Sequence, residues 1–276
     1  MTELQQTEFE ILKQFVALCE QLKLCYYLVC GSCLGAVKYG GFIPWDDDID
    51  VAMPRGDYRV FCQRAAGLLP PHLFLQTNET DRHYPNIFAK LRDSRTTYIE
   101  RGTAHLDMHH GVYIDIFPLD GYPADADEQK RFEKEKTDLK HKINCIYTTK
   151  LDIPHTLMRT VRRLCGHRRH TAAYVAQMIE LCSSYPLGSS ELWCNYGNWQ
   201  GVKEYAPRRQ YAGGADADFE GLKVKIPKEY DAYLTQKYGD WRADLPKEQQ
   251  YGHHYYTVCD LHKPYTDYIK RKENRA

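Results

Sequence analysis

Residues 31–54 read GSCLGAVKYGGFIPWDDDIDVAMP, a Gly-Ser turn that follows an apolar run and leads into a carboxylate cluster ending Asp48-Ile49-Asp50. The apolar run itself, residues 26–30 (YYLVC), reads as a short buried strand. Gly31-Ser32 then turns the chain into a helix, and residues 49–53 form a second strand. Side chains alternate between the two faces of a strand, so Asp48 and Asp50 point one way while Ile49 and Val51 point into the core. Two oxygen-ligand residues on one strand face suit Mg²⁺, a hard cation usually held by one or two carboxylates plus substrate phosphates. The Gly31-Ser32 turn offers backbone N–H groups and a hydroxyl at a helix start, which is the chemistry of a phosphate cradle.

Working outward, Phe9, Leu12, Phe15, Val16 and Cys19 recur at helical spacing and predict an amphipathic helix over residues 3–23. A further helix is expected over 57–66, ended by Gly67 and the Pro70-Pro71 pair. Residues 87–92 and 96–100 read as two strands of a hairpin joined by Asp93-Ser94-Arg95, with Lys90 and Arg92 on one face. Residues 111–117 (GVYIDIF) form another strand, stopped by Pro118. Asp115 lies amid its apolar neighbours, where a charge is costly unless it is paired or binds a metal. Brought together, Asp48, Asp50 and Asp115 form the kind of cluster that holds two ions about 3.5 to 4 Å apart for phosphoryl displacement.

From residue 125 to about 184 the composition turns helical and highly charged, an addition to the core. Residues 219–226 read as a short strand or hairpin, and 227–238 as a helix with proline at its start. The expected organisation is a catalytic core over 1–124, a helical insertion over 125–190 and a C-terminal return over 191–276 packing on the core.

The balance of 37 Lys+Arg against 37 Asp+Glu in 276 residues leaves no positive field to hold a nucleic-acid backbone, so no nucleic-acid partner is expected. The start MTELQQTEFEILKQF lacks the basic and continuous apolar stretches of a signal peptide, and no later segment is apolar for long enough to span a bilayer. The expectation is a cytoplasmic chain with its ten cysteines reduced, several of them, such as Cys19, Cys25 and Cys62, serving as small hydrophobes.

Rival readings are weaker. Asp46, Asp48 and Asp50 have calcium-loop spacing, but Val51 stands where that loop needs glycine and Asp57 where it needs glutamate. Cys30-Gly31-Ser32-Cys33 lacks a second C-x-x-C for zinc and carries Leu34 where a papain-type nucleophile signature has an aromatic residue, so core packing is expected. His109-His110 and His253-His254 read as surface histidines, with His254 a weak site candidate.

An apolar residue, Gly-Ser, a spacer and Asp-x-Asp, with a third Asp on a later strand, resemble the nucleotidyltransferase superfamily represented by DNA polymerase β. The fifteen residues between Ser32 and Asp48 exceed that superfamily's usual gap. The longer segment GSCLGAVKYGGFIPWDDDIDVAMPRGDY resembles the signature of the LicD family, bacterial phosphocholine transferases. KLRDSRTTYIE at 90–100, YIDIFPLDGYP at 113–123 and GLKVKIPKEYDAYLTQKYGDW at 221–241 agree with it.

The resemblance implies an α/β (α+β) nucleotidyltransferase-like mixed sheet flanked by helices, with a helical insertion and C-terminal extension. It implies Mg²⁺-dependent transfer of phosphocholine from CDP-choline to a hydroxyl of a cell-surface glycan precursor, of teichoic acid or lipopolysaccharide type, releasing CMP. Asp48 and Asp50 take the metal-ligand roles, with two ions in the family manner, and Asp115 is the third carboxylate, a ligand or general base. Asp46 and Asp47 also fall in the motif. Gly31 and Ser32 are candidates for phosphate contact, and Lys90 and Arg92 for the diphosphate, where fixed cations neutralise developing charge. Rival donors are another CDP-alcohol such as CDP-ribitol, as in fukutin-type proteins, or a nucleotide-sugar in a metal-dependent glycosyltransferase. Choline asks for aromatic faces, for which Trp193, Tyr196, Trp199, Trp241, Tyr255 and Tyr256 are available without a choice among them. Residues 157–170 set Leu157, Val161 and Leu164 against five arginines, a pattern of solvated basic helices and of helices on anionic membranes; peripheral contact at the inner face of the membrane would suit a lipid-linked acceptor.

Overall fold

The computed structural model describes residues 1–147, 170–198, 200–252 and 254–273. The basic segment 157–169, Trp199 and His253 lie outside the described residues.

Helix α1 (Glu3–Leu22) starts at a capping box, in which the Thr2 hydroxyl accepts from the Gln5 N–H and the Gln5 side chain accepts from the Thr2 N–H. Its apolar stripe of Phe9, Leu12, Phe15, Val16 and Cys19 is buried in the main core. Strand β1 (Tyr27–Leu28) leads directly into α2 (Cys30–Tyr39). Then come β2 (Asp50–Pro54), α3 (Arg55–Ala65), β3 (Leu73–Gln76), β4 (Ala89–Asp93), β5 (Thr97–Glu100) and β6 (Val112–Gly121). Helices α4 (Ala126–Ile143) and α5 (Thr171–Cys182) follow. The chain returns through β7 (Leu192–Cys194), β8 (Tyr205–Pro207), α6 (Arg208–Tyr211), β9 (Ala215–Phe219), β10 (Leu222–Ile226), α7 (Tyr230–Tyr238), β11 (Tyr256–Asp260) and α8 (Thr266–Glu273).

The central sheet runs β1-β2-β6-β4-β3, with β7 and β8 extending from the far end of β6. Strands β2 and β6 are parallel and the other pairs antiparallel, so the sheet is mixed, as expected for the α+β class. Helix α1 packs across β6 and β4, and α3 against β2 and β6. Helices α4 and α5 pack on each other over a separate apolar cluster that includes Phe132, Leu139, Val175 and Met178.

Four expectations change. Residues 89–93 and 97–100 are strands but not a hairpin: β4 pairs with β3 and β6, whereas β5 pairs with β11 some 160 residues later. Pro118 does not stop β6, which runs to Gly121. The Asp115 N–H donates to Ile49 on the β2 side, so strand parity puts the missing N–H of Pro118 on the opposite side, beyond Ala89 where β4 has ended. The helix expected from Pro227 begins at Tyr230. Cys19 is buried and Cys62 half-buried, but Cys25 is exposed. Where a short strand or hairpin was expected over 219–226, residues 215–226 form a hairpin, turned through Glu220 and Gly221, both at positive φ. Among the described residues no helix is long and apolar enough to cross a membrane.

Candidate active site

The parallel register sets Asp50 of β2 beside Asp115 of β6, and the antiparallel register sets Asp115 beside Lys90 of β4 and Lys90 beside Gln76 of β3. In-register neighbours share a sheet face, so Asp50, Asp115, Lys90 and Gln76 form one polar row across four strands. The Ser32 hydroxyl of α2 accepts from the Asp50 N–H at 2.8 Å and fixes the start of that row. Ser32 is buried and serves Asp50 rather than presenting an open hydroxyl.

The carboxylates of Asp46, Asp47 and Asp48 precede β2, so strand parity does not govern them. Their loop is held by distant groups. The Gln5 side chain donates to the carbonyls of Ile43 at 3.3 Å and Asp46 at 3.0 Å. Two glycines admit the carboxylates: a Cβ on Gly31 would lie 2.7 Å from Asp46 Oδ2, and one on Gly252 would lie 2.4 Å from Asp47 Oδ2. The His254 N–H donates to Asp47 Oδ2 at 3.1 Å; its Nδ1 is 3.0 Å from Asp47 Oδ1, and its Nε2 is 3.7 Å from Asp48 Oδ2.

Crowded carboxylates dominate the electrostatics. Burial, then the charges of Asp48 and Asp115, raises the Asp50 carboxyl well above the ordinary range. Asp46 is raised by burial and by Asp48 and Asp47. Glu8 of α1 is buried with one carboxyl oxygen unpartnered, and it is raised by burial and by Asp48, Asp47 and Asp46. Burial alone would lower His254, but Asp48 and Asp47 push it up to about 10, so it is an imidazolium at neutral pH.

The cations are not open to solvent. Lys90 is buried, 2.9 Å from Asp115 Oδ1 and 3.6 Å from Glu100 Oε1, with its ammonium 3.2 Å from the centroid of the Tyr113 ring. Arg92 is fully buried and donates to Gln76, to the Gly111 carbonyl and to Glu100. Both were expected to face a diphosphate. The geometry instead makes Arg92 an anchor for Glu100 and makes Lys90 the counter-charge of Asp115. Burial would raise Glu100, but Lys90 and Arg92 hold it down at about 2.

His109 and His110 are buried, not on the surface as their sequence context suggested. The His109 ring is stacked on Phe74 and tilted against Tyr265. Cys30 and Cys33 are buried and free, consistent with packing. The expected site residues therefore divide: Asp50, Asp115 and Lys90 are adjacent on one face, Asp48 lies with Asp47 and His254, and Arg92 lies in the next row of the same face, buried beside Tyr113. Sequence reasoning missed Gln5, Glu8, Glu100 and Tyr113. Glu8 did leave a trace, since a carboxylate on the apolar face of α1 has a cost that asks for a reason.

The donor set fits a hard divalent cation, because it is rich in carboxylate oxygens whose mutual repulsion a 2+ charge would relieve. Among the described residues, Asp47, Asp48 and His254 are the three whose ligand atoms all lie within 4.8 Å of one another.

Residues 23–151 match the family described as LicD/FKTN/FKRP, nucleotidyltransferase domain. That match runs beyond residue 123, where the first stretch of visible motif agreement ends, and stops short of the second at 221–241. Over 253 residues the chain is 30% identical to the lipopolysaccharide cholinephosphotransferase LicD of Haemophilus influenzae, covering 88% of this chain and 92% of the relative.

Proposed function

The chain belongs to the LicD family, and from that premise we propose that it transfers phosphocholine from CDP-choline to a sugar hydroxyl of a cell-surface glycan precursor. The observation that carries the reading is the row Asp50–Asp115–Lys90 beside the acidic loop, in a chain similar over most of its length to a lipopolysaccharide cholinephosphotransferase. A polymerase-β-like ancestry of the core accords with the Gly-Ser turn and with Asp50 and Asp115 on adjacent parallel strands.

Asp48 and Asp50, with Asp115 as the third carboxylate, are the residues that would hold Mg²⁺. Bound there, Mg²⁺ would supply charge neutralisation for the transferred phosphoryl group and the leaving CMP. The chain's own residues set up that site. Ser32 fixes the Asp50 backbone, Lys90 favours the ionised form of Asp115 against burial, and His254 balances the charge of Asp47 and Asp48. Glu100, held down by Lys90 and Arg92, keeps Lys90 in place within the row. The Gly31 end of α2 lies against Asp46 of the same acidic loop, so a donor diphosphate would sit where a helix N-terminus and a metal act together.

The test is CMP release with Mg²⁺, a glycan acceptor and a panel of donors: CDP-choline, CDP-ribitol and a nucleotide-sugar. Release from CDP-choline well above the other donors supports the reading. Release from CDP-ribitol alone would keep the fold and replace the donor, and turnover of the nucleotide-sugar alone would replace the reaction class.

A further inference from the structure

A cavity of about 210 Å³ opens beside the acidic loop, and four of its walls are aromatic: Tyr39 at the end of α2, Trp45 in the loop, Tyr238 at the end of α7 and Trp241 just after it. Asp46 and Asp240 supply its carboxylates. The volume falls below the roughly 300 Å³ at which drug-sized ligand pockets begin, so it suits a head group and not a whole nucleotide. Tyr39 and Trp45 meet at 76° with ring centroids 6.4 Å apart, which gives the cavity a corner of two π faces.

The walls are fixed by contacts outside the cavity. The Trp241 indole N–H donates to Asp231 at 3.0 Å, and the Arg242 guanidinium, which does not line the cavity, lies 4.2 Å from the Trp241 ring centroid. Among the described residues Lys38 is the one cation on the wall. Its ammonium is committed to the carbonyls of Arg242 and Ala243 and to Asp244, so it latches the Trp241 segment onto α2. Among the described residues no Asn, Gln, Ser or Thr side chain lines the cavity, and a ligand rich in hydrogen-bonding edges would find few partners there.

We propose that this cavity is the subsite for the quaternary ammonium of the donor, with Trp45 and Tyr39 as its specificity-determining faces. The inference rests on the phosphocholine reading above and deepens it. A trimethylammonium group has no N–H to donate; aromatic faces bind it electrostatically, and nearby carboxylates add to the attraction. Position agrees with chemistry, because Asp46 and Gly31 belong both to this wall and to the carboxylate site, which sets the head group next to the phosphorus that is transferred.

Binding to the whole chain of choline, of its neutral isostere 3,3-dimethylbutan-1-ol and of CMP, each followed by calorimetry, tests the subsite. Choline is expected to bind at least about tenfold more tightly than the isostere, and Trp45→Leu and Tyr39→Leu are each expected to weaken choline about tenfold. CMP affinity and melting temperature should stay as in the wild type, and Trp45→Phe should restore most choline binding. Equal binding of the isostere, or a Trp45→Leu chain that loses CMP and keeps choline, would overturn the assignment, the second outcome pointing to a nucleobase. The two readings fail separately. Choline binding through Trp45 without CMP release would remove the transfer reaction and leave the subsite. Turnover with an unchanged KM for CDP-choline in Trp45→Leu would remove the subsite and leave the transferase.

Discussion

At Asp50, stability and chemistry pull in opposite directions. Its carboxyl is buried against Asp48 and Asp115 and raised well above its usual range, so ionising it in the folded chain is costly. Asp50→Asn removes that repulsion. The variant is expected to melt about 2–4 °C higher than the wild type without divalent cation, and to lose on the order of 10²-fold or more in kcat. Added Mg²⁺ should raise the wild-type melting temperature and leave the variant nearly unmoved. A variant that melts lower and still turns over would show that Asp50 is structural. His254→Gln keeps one donor to Asp47 but drops the positive charge, and transfer should fall about 10- to 100-fold, read as kcat at saturating donor. The juxtaposition of Asp50 and Asp115 was legible because each stands between apolar residues of a strand, whereas the expectation that Asp48 shares their strand face failed, since β2 begins at Asp50. His254 was legible only as a weak candidate and Gly252 not at all, because both reach Asp47 across some two hundred residues of chain, and nothing local in either stretch announces the contact.

At the scale of elements, the return of the chain is tied by an ion pair between Lys237 of α7 and Glu204, both almost wholly buried. Removing one partner strands the other charge, so Lys237→Met should cost about 3–5 kcal/mol in urea unfolding. The double variant with Glu204→Met should recover much of that loss; if it is as unstable as the single variant, packing and not charge is at stake. The Glu204-Lys237 pair was invisible in sequence, since Lys237 sits in a helical pattern and reads as a solvated residue. The short strands β3, β7, β8 and β11 left no clear period in the sequence, but the longer helices and the strands β1, β2, β4, β5 and β6 were legible from periodicity. Their pairing was not: a polar turn at 93–95 suggests a hairpin, but β5 finds its partner in β11. Pro118 also misled, because its effect depends on which side of β6 still has a neighbour.

For the whole molecule, acid should expose the buried histidines. Burial, followed by the charges of Arg92 and His110, lowers His109 to about 3. Its folded pKa is below the unfolded value of roughly 6.5, so the unfolded chain binds the extra proton, and stability from this group is present above that value and lost as pH falls toward 3. Between pH 6.5 and 4.5 the wild type should lose roughly 1 kcal/mol per pH unit more than His109→Gln; parallel slopes for the two chains would mean that His109 is not held neutral.

The central claim joins the acidic loop to the row across the sheet as one phosphocholine-transferring site. Its most direct test is the passage of label from CDP-choline carrying labelled methyl groups into a glycan acceptor, with Mg²⁺ present, for the wild type and for Asp50→Asn. The account predicts labelled glycan and equal CMP from the wild type and background label from Asp50→Asn; label transfer undiminished in the folded variant, or CMP released by the wild type with no label reaching the acceptor, would contradict it.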